Sequence, residues 1–170
     1  SALYLGLTKD LYAAPSGPIV IGHQCELTGG FSSWGYWHDK CAKAAVKIIN
    51  DGGGIAGRKV KLAIEDTESN PAAGSRKLRS LIERRKASFV VGSVHSGIML
   101  ASIPIATELK SPYFSAGEAT EATGSKGSRY SFRTGTDTYA LAAAGAPWAF
   151  KNLGKTWTMI FPDYAWGHSH

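Results

Sequence analysis

RKVKLAIEDTESNPAAGSRKLRSLIERRKASFVVGSVHSG, residues 58–97, decides the fold. Val60, Leu62 and Ile64 alternate along the chain, the two-residue period of a strand. Asn70 or Ser69 then supplies a helix N-cap and Pro71 suits the first helical position. Leu78, Leu81 and Ile82 give that helix one apolar stripe. SFVVGS (88–93) is a second, fully apolar strand, and GSVHSG (92–97) runs straight into another helix. Strand, helix, strand in this order is a right-handed βαβ unit, which implies a parallel sheet.

The same alternation extends both ways. Upstream, PIVIGHQCEL (18–27) reads as a strand ending at a Thr-Gly-Gly turn. From Trp34 a helix follows, with Trp37, Cys41, Ala44, Ala45, Ile48 and Ile49 as its expected apolar stripe and Asp39, Lys40, Lys43 and Lys47 opposite. NDGGGIAG (50–57) ends it. Downstream come a helix from Gly97 through Pro104, a strand SPYFSAG (111–117), an extended RYSFRTG (129–135) and a helix TDTYALAAAGAPWAFKNLG with Pro147 as a possible kink. KTWTMIFPDYAWG (155–167) reads as a buried strand leading into a loop. The sheet does not close by His170, so the chain is expected to be an N-terminal portion of something larger.

The bulk numbers fit a folded domain: 170 residues, 44% hydrophobic and 19% charged. No apolar run approaches the roughly 18 residues of a membrane helix. Residues 1–17 lack the basic start and long apolar stretch of an intact signal peptide, and are expected to be a processed or appended end packing as a short helix. The formal charge of +6 raises nucleic acid as a partner. Lys43, Lys47, Arg76, Lys77, Arg79, Arg84, Arg85 and Lys86 fall on polar helix faces among acidic residues, which argues against it. Cys25 and Cys41 suit either one disulfide of an exported protein, since a strand end and the second turn of the next helix come within bonding reach, or two unpaired thiols. No CxxC or Cys/His zinc spacing is present, and no cofactor is expected.

Ligands of open parallel sheets bind beyond the carboxyl ends of the strands. Those ends are CELTGGFSSWG, GSVHSG, FSAGEAT and FPDYAWG, which bring small residues, hydroxyls and aromatics to one edge. Ser96 either caps its helix or offers a hydroxyl beside an anion-favouring helix N-terminus. Ala119 and Thr120 repeat that arrangement, and Glu118 suits a cation. His95 reads as a capping or pocket-lining residue. Enzyme motifs fail: GxSxG would need glycine where Val94 stands, and GGGIAGRK departs from the phosphate-loop pattern at Arg58 and Lys59. His168 and His170 are weak as metal ligands.

Taken in order, IVIGHQCELTGGFSSWG, INDGGGIAGRKVKLAIEDTESNP, FVVGSVHSG, SPYFSAGEAT, YSFRTG and FPDYAWGHS resemble the type I periplasmic solute-binding proteins, on the branch of the branched-chain amino acid receptors of ABC transporters. The resemblance runs from Pro18 to His170. It implies a Rossmann-like α/β lobe, a parallel sheet with helices on both faces, in the N-terminal portion of a two-lobe protein. Residues 1–17 are then an extension, 18–133 an incomplete lobe one, and 134–170 the crossing and start of lobe two.

By the same resemblance the ligand-binding residues are Trp34, Ser96, Gly117, Ala119, Thr120 and Trp166. Trp34 and Trp166 are the aromatics before glycine, one from each lobe, with Phe31 or Trp37 behind Trp34. Ser96 holds a ligand carboxylate and Gly117 offers a carbonyl to an ammonium. Ala119 stands where the family has threonine, with Thr120 next to it. The family's acidic ammonium partner would lie beyond residue 170. Trp37 itself is expected to pack inward with Cys41. The implied function is a non-enzymatic receptor for a small amino-acid-like carboxylate or amide, with a flatter or larger body than leucine. It would be periplasmic, or extracellular and membrane-anchored, and would deliver to permease subunits. A ligand-sensing domain of the same fold is the alternative, and a hydrolase using Ser96 and His95 a third. The implied partners exclude nucleic acid and include the remainder of the chain or a second copy.

Overall fold

The computed structural model describes residues 17–169. The short helix expected before residue 17 lies outside the described residues, as does His170.

Five parallel strands form one sheet: β1 (Ile19–Cys25), β2 (Val60–Asp66), β3 (Phe89–Gly92), β4 (Tyr113–Ser115) and β5 (Ser131–Arg133), in the order β2-β1-β3-β4-β5. Ile19 pairs with Val60 and Cys25 with Asp66, while Ile21 of β1 pairs with Phe89. Within the extended RYSFRTG, Ser131–Arg133 form the strand, in register with β4 from Tyr113↔Ser131 to Ser115↔Arg133. Among the described residues, four α-helices connect or follow the strands: α1 (Ser32–Asp51), α2 (Pro71–Glu83), α3 (Ser96–Glu108) and α4 (Thr138–Asn152). Asn70 caps α2 by accepting from the Ala73 amide, with Pro71 as the first helical residue.

Alternate residues of β1 show that helices cover both faces. Cys25 donates its thiol hydrogen to the Gly35 carbonyl of α1, and His23 meets His38 of α1 ring edge to face. Gly22 and Gln24 point the other way: a side chain on Gly22 would strike Val90, Ala87 and Leu81, and Gln24 Nε2 donates to Gly74 O of α2 and Ser102 Oγ of α3. The main core lies on this second face, where Leu78, Leu81, Val90, Met99, Ile103, Ala106 and Tyr113 are buried together. The Tyr113 hydroxyl donates to Gln24 Oε1 at 2.6 Å, so this polar insertion in the core is internally paired.

Two expectations change and one open alternative is decided. First, α1 is turned. Gly35, His38, Asp39, Ala42, Val46 and Ile49 face the sheet, while Trp34, Trp37, Cys41, Ala44, Ala45 and Ile48 face outward. Trp37 is 67% exposed and pairs edge to face with Tyr36, so it does not pack inward with Cys41. Gly35 fixes this rotation, because only a residue without Cβ lets the helix backbone rest on the Glu26 carbonyl. Second, Cys25 and Cys41 are both unbonded. Cys25 faces the Gly35 side of α1, and Cys41, about 1.7 turns farther on, leaves from another side. Third, residues 155–162 form no strand. Trp157, Met159 and Ile160 are exposed, because no described strand lies beside them to pair with their backbone.

A candidate ligand cleft at the carboxyl edge of the sheet

The strand order reverses direction at β1, so the crevice beyond the carboxyl ends of β1 and β3 is the place such a sheet offers a ligand. A cleft of about 470 Å³ lies there. Phe31 and Trp34 line it from the start of α1, Val94 from the turn after β3, and Ala116 and Glu118 from the turn after β4. Pro162, Tyr164 and Trp166 close it from the C-terminal segment. A second hollow, about 400 Å³, is lined by Glu65, Ser80, Arg84 and Arg85. Arg85 is paired with Glu65 there, and Arg84 donates to Ser80 Oγ, which leaves little for a ligand to satisfy.

The Asp66–Pro71 segment holds the first aromatic wall in place. Asp66 Oδ1 accepts from the amides of Leu27, Thr28 and Glu68, and Oδ2 from the Thr28 hydroxyl. Desolvation pushes this carboxyl upward, but those hydrogen bonds prevail and keep it below the ordinary carboxylate range. Ser69 Oγ donates to Thr28 O and accepts from the Phe31 amide. Gly29, at φ +83, lets the loop pass tight against Glu68 O. The result is a fixed launch point for Phe31 and Trp34. Phe31 packs on His95 (4.6 Å between ring centroids) and Tyr164 (5.4 Å), and Tyr164 lies 4.9 Å from His95.

The turn after β3 supplies the floor. Gly92 at φ +142 and Ser93 at φ +50 bend the chain sharply out of the sheet. Ser93 Oγ donates to the buried Glu26 at 2.6 Å. His95, not Ser96, caps α3: its Nδ1 accepts from the amides of Gly97 and Ile98. Burial holds the His95 pKa below the ordinary imidazole range, with the Glu26 charge opposing.

The six expected ligand residues gather at this edge in two groups. Trp34 and Trp166 line the cleft itself. Ser96, Gly117 and Ala119 are buried directly behind it: Ser96 Oγ accepts from the amides of Glu118 and Ala119, and a Cβ on Gly117 would press on Met99 and Ser96. The Thr120 hydroxyl bonds Thr138 Oγ1 at 2.8 Å and accepts from the Tyr139 amide. Thr138 Oγ1 in turn meets Ser169, and Arg133 joins Ala119 O to Asp137, the N-cap of α4. This mesh ties the turn after β4 to the C-terminal segment and so positions Trp166, whose indole N–H donates to Glu118 Oε2 at 2.8 Å. Of the other lining residues, Phe31 was expected behind Trp34 and Glu118 as a group suited to a cation, whereas Tyr164 was not expected. Tyr164 sits in FPDYAWG, where the aromatic content was the available signal.

A family profile described as periplasmic binding protein matches residues 18–170. The chain is 30% identical over 90 residues to Leu/Ile/Val-binding protein homolog 1 of Brucella abortus, covering 53% of this chain and 24% of that protein. Among solved structures, the branched-chain amino acid transporter substrate binding protein LivJ from Streptococcus pneumoniae, in complex with isoleucine, superimposes with a TM-score of 0.67 at 29% identity, over 71% of this chain and 34% of that one. A solute binding protein of an ABC transporter from Rhodopseudomonas palustris, in complex with 3,4-dihydroxybenzoic acid, gives 0.78 at 27% identity, over 89% of this chain and 41% of that one. The chain thus spans less than half the length of these relatives. The chain belongs to the type I periplasmic binding proteins, the family of the branched-chain amino acid receptors.

Proposed function

We propose that this chain supplies most of lobe one (18–133), and the crossing and opening of lobe two (134–170), of a solute-binding receptor of an ABC uptake system. The ligand is a small amino-acid-like carboxylate or amide with a flat or apolar body, closed between two lobes. The observation that carries this is the cleft walled by Phe31, Trp34, Tyr164 and Trp166 at the sheet's carboxyl edge. Aromatic faces suit a flat or aliphatic body. Glu118, the one acidic side chain in the lining, suits a ligand ammonium or amide N–H. Both acceptor sites of Ser96 Oγ are occupied by the Glu118 and Ala119 amides, so its O–H proton is the group left to donate to a ligand oxygen. Gly117 and Thr120 complete the polar edge behind the cleft.

The receptor works by capture and release without a reaction. His95 Nδ1 is occupied as a helix cap and Ser96 Oγ as an acceptor, which is not the pairing of a nucleophile with its base. It acts in the periplasm, or outside the cell on a membrane anchor, and hands its solute to permease subunits. Mass spectrometry of the small molecule that co-purifies with the protein containing this chain tests the reading, followed by tryptophan-fluorescence titration with isoleucine, phenylalanine, benzoate and a short amide. Saturable binding of at least one of these supports it. Turnover of an ester or amide, abolished by Ser96→Ala, would overturn it.

A further inference from the structure

Beneath α1, on the sheet face away from the main core, lie His23, Cys25 and His38. Their ligating atoms are all within 4.8 Å of one another. His23 has no exposed surface, yet its two ring nitrogens have at most a loose contact with the Val91 backbone, and His38 Nδ1 is buried and unpartnered. A buried polar atom without a good partner costs free energy, so such atoms in one cluster point to a missing group. Asp39, next to His38, carries a further buried, unpartnered oxygen, Oδ1.

We propose that His23, Cys25 and His38 bind a zinc ion that pins the carboxyl end of β1 to the first turns of α1. Two imidazoles and a thiolate are a ligand set zinc accepts, and a fourth position remains for water or a carboxylate oxygen. Tetrahedral zinc wants such atoms about 3.5 Å apart, so the cluster closes by about an ångström on binding. Half-buried His38, on the first turns of a surface helix, is placed to make that move. On binding, the S–Zn bond forms as the Cys25 thiol proton leaves to solvent and its bond to Gly35 O is given up. The pinned turns carry Trp34, so the ion would stiffen one wall of the cleft, but the site stands independently of what the cleft binds.

Cobalt(II) titration of the metal-free full chain tests this, with cobalt as a coloured stand-in for zinc. The expected result is one cobalt per chain, a thiolate-to-cobalt charge-transfer band, bleaching by equimolar zinc, and proton release on binding. Cys25→Ser should abolish the band and His38→Ala should weaken binding at least about 10-fold, while Cys41→Ser and His168→Ala leave both unchanged. A wild-type chain without the thiolate band overturns the proposal even where a variant fails to fold. So does a band that survives Cys25→Ser.

Discussion

Trp34 and Trp37 are nearly equally exposed, at 66% and 67%, and stand one turn apart on the same helix, but only Trp34 lines the cleft. That makes them a matched pair. A tryptophan side chain offers up to about 250 Å² of surface, so about 165 Å² of Trp34 remains open to a ligand. A ligand that covers half of this removes about 80 Å² from water, worth about 2 kcal/mol at about 25 cal/mol per Å². Trp34→Ala should therefore raise Kd about 30-fold for the solute recovered from the protein. Trp37→Ala should leave Kd unchanged. Isothermal titration of both variants, with melting curves to confirm that each is folded, decides the matter. If Trp34→Ala binds as tightly as the parent, or if both variants weaken equally, the cleft is not the binding site.

Four further outcomes are expected. Gly35→Ala should cost about 1–3 kcal/mol in denaturant unfolding, because the new methyl lands on the Glu26 carbonyl; an unchanged midpoint would show that α1 does not rest there. Tyr113→Phe should cost about 1–3 kcal/mol by leaving buried Gln24 Oε1 without its donor, and a loss within error would refute the buried pairing. Since His95 has a folded pKa below its unfolded value of about 6.5, its contribution is complete above that pH and is lost as pH falls toward the folded value. His95→Asn, which keeps an acceptor at the cap but cannot titrate, should make the loss of stability between pH 7 and pH 5 less steep (roughly the range over which imidazole charges), with buried His23 and His38 supplying the slope that remains, and an equally steep profile would exclude His95 as a source. Finally, Phe132, Trp157, Met159 and Ile160 are exposed, so the isolated 170-residue chain should self-associate in light scattering as concentration rises; a strict monomer with a sharp melt would contradict this.

What the sequence revealed and what it hid have separate physical causes. Strands β1 to β4 and helices α2 and α3 were legible because each carries a complete local signal: alternation in β2, an Asn-Pro cap and an apolar stripe in α2, a glycine-serine exit from β3. The rotation of α1 was not legible, because its apolar residues outnumber what its contact face takes. Trp34, Trp37 and Ile48 form a helical stripe as regular as the one that packs, and the decision between the stripes rests on Gly35, whose lack of a side chain scores as nothing in a pattern. Residues 155–162 show the converse failure: the β pattern is present, but a strand exists only where another strand accepts its hydrogen bonds. The buried cluster of His23, Cys25 and His38 was invisible to spacing rules, since its members come from alternate positions of a strand and from the helix that crosses back over it.

The most recognisable part of the sequence is also not the part that touches the cleft. Asp66 and Ser69 gather the amides and hydroxyl of the Leu27–Phe31 loop, and Asn70 with Pro71 starts α2; none of the four lines the cleft. Their chemistry holds a loop at a fixed angle, and any side chain launched from that loop inherits the position. Phe31 and Trp34 occupy those launch points here, and Tyr164 and Trp166 answer them from the far side. A frame of this kind allows the ligand to change by substitution at four aromatic positions while Asp66, Ser69, Gly92 and the Thr120–Thr138 mesh stay as they are. In the proposed receptor, ligand identity is then set at the aromatic positions, and Asp66, Ser69, Asn70 and Pro71 form the scaffold that aims them.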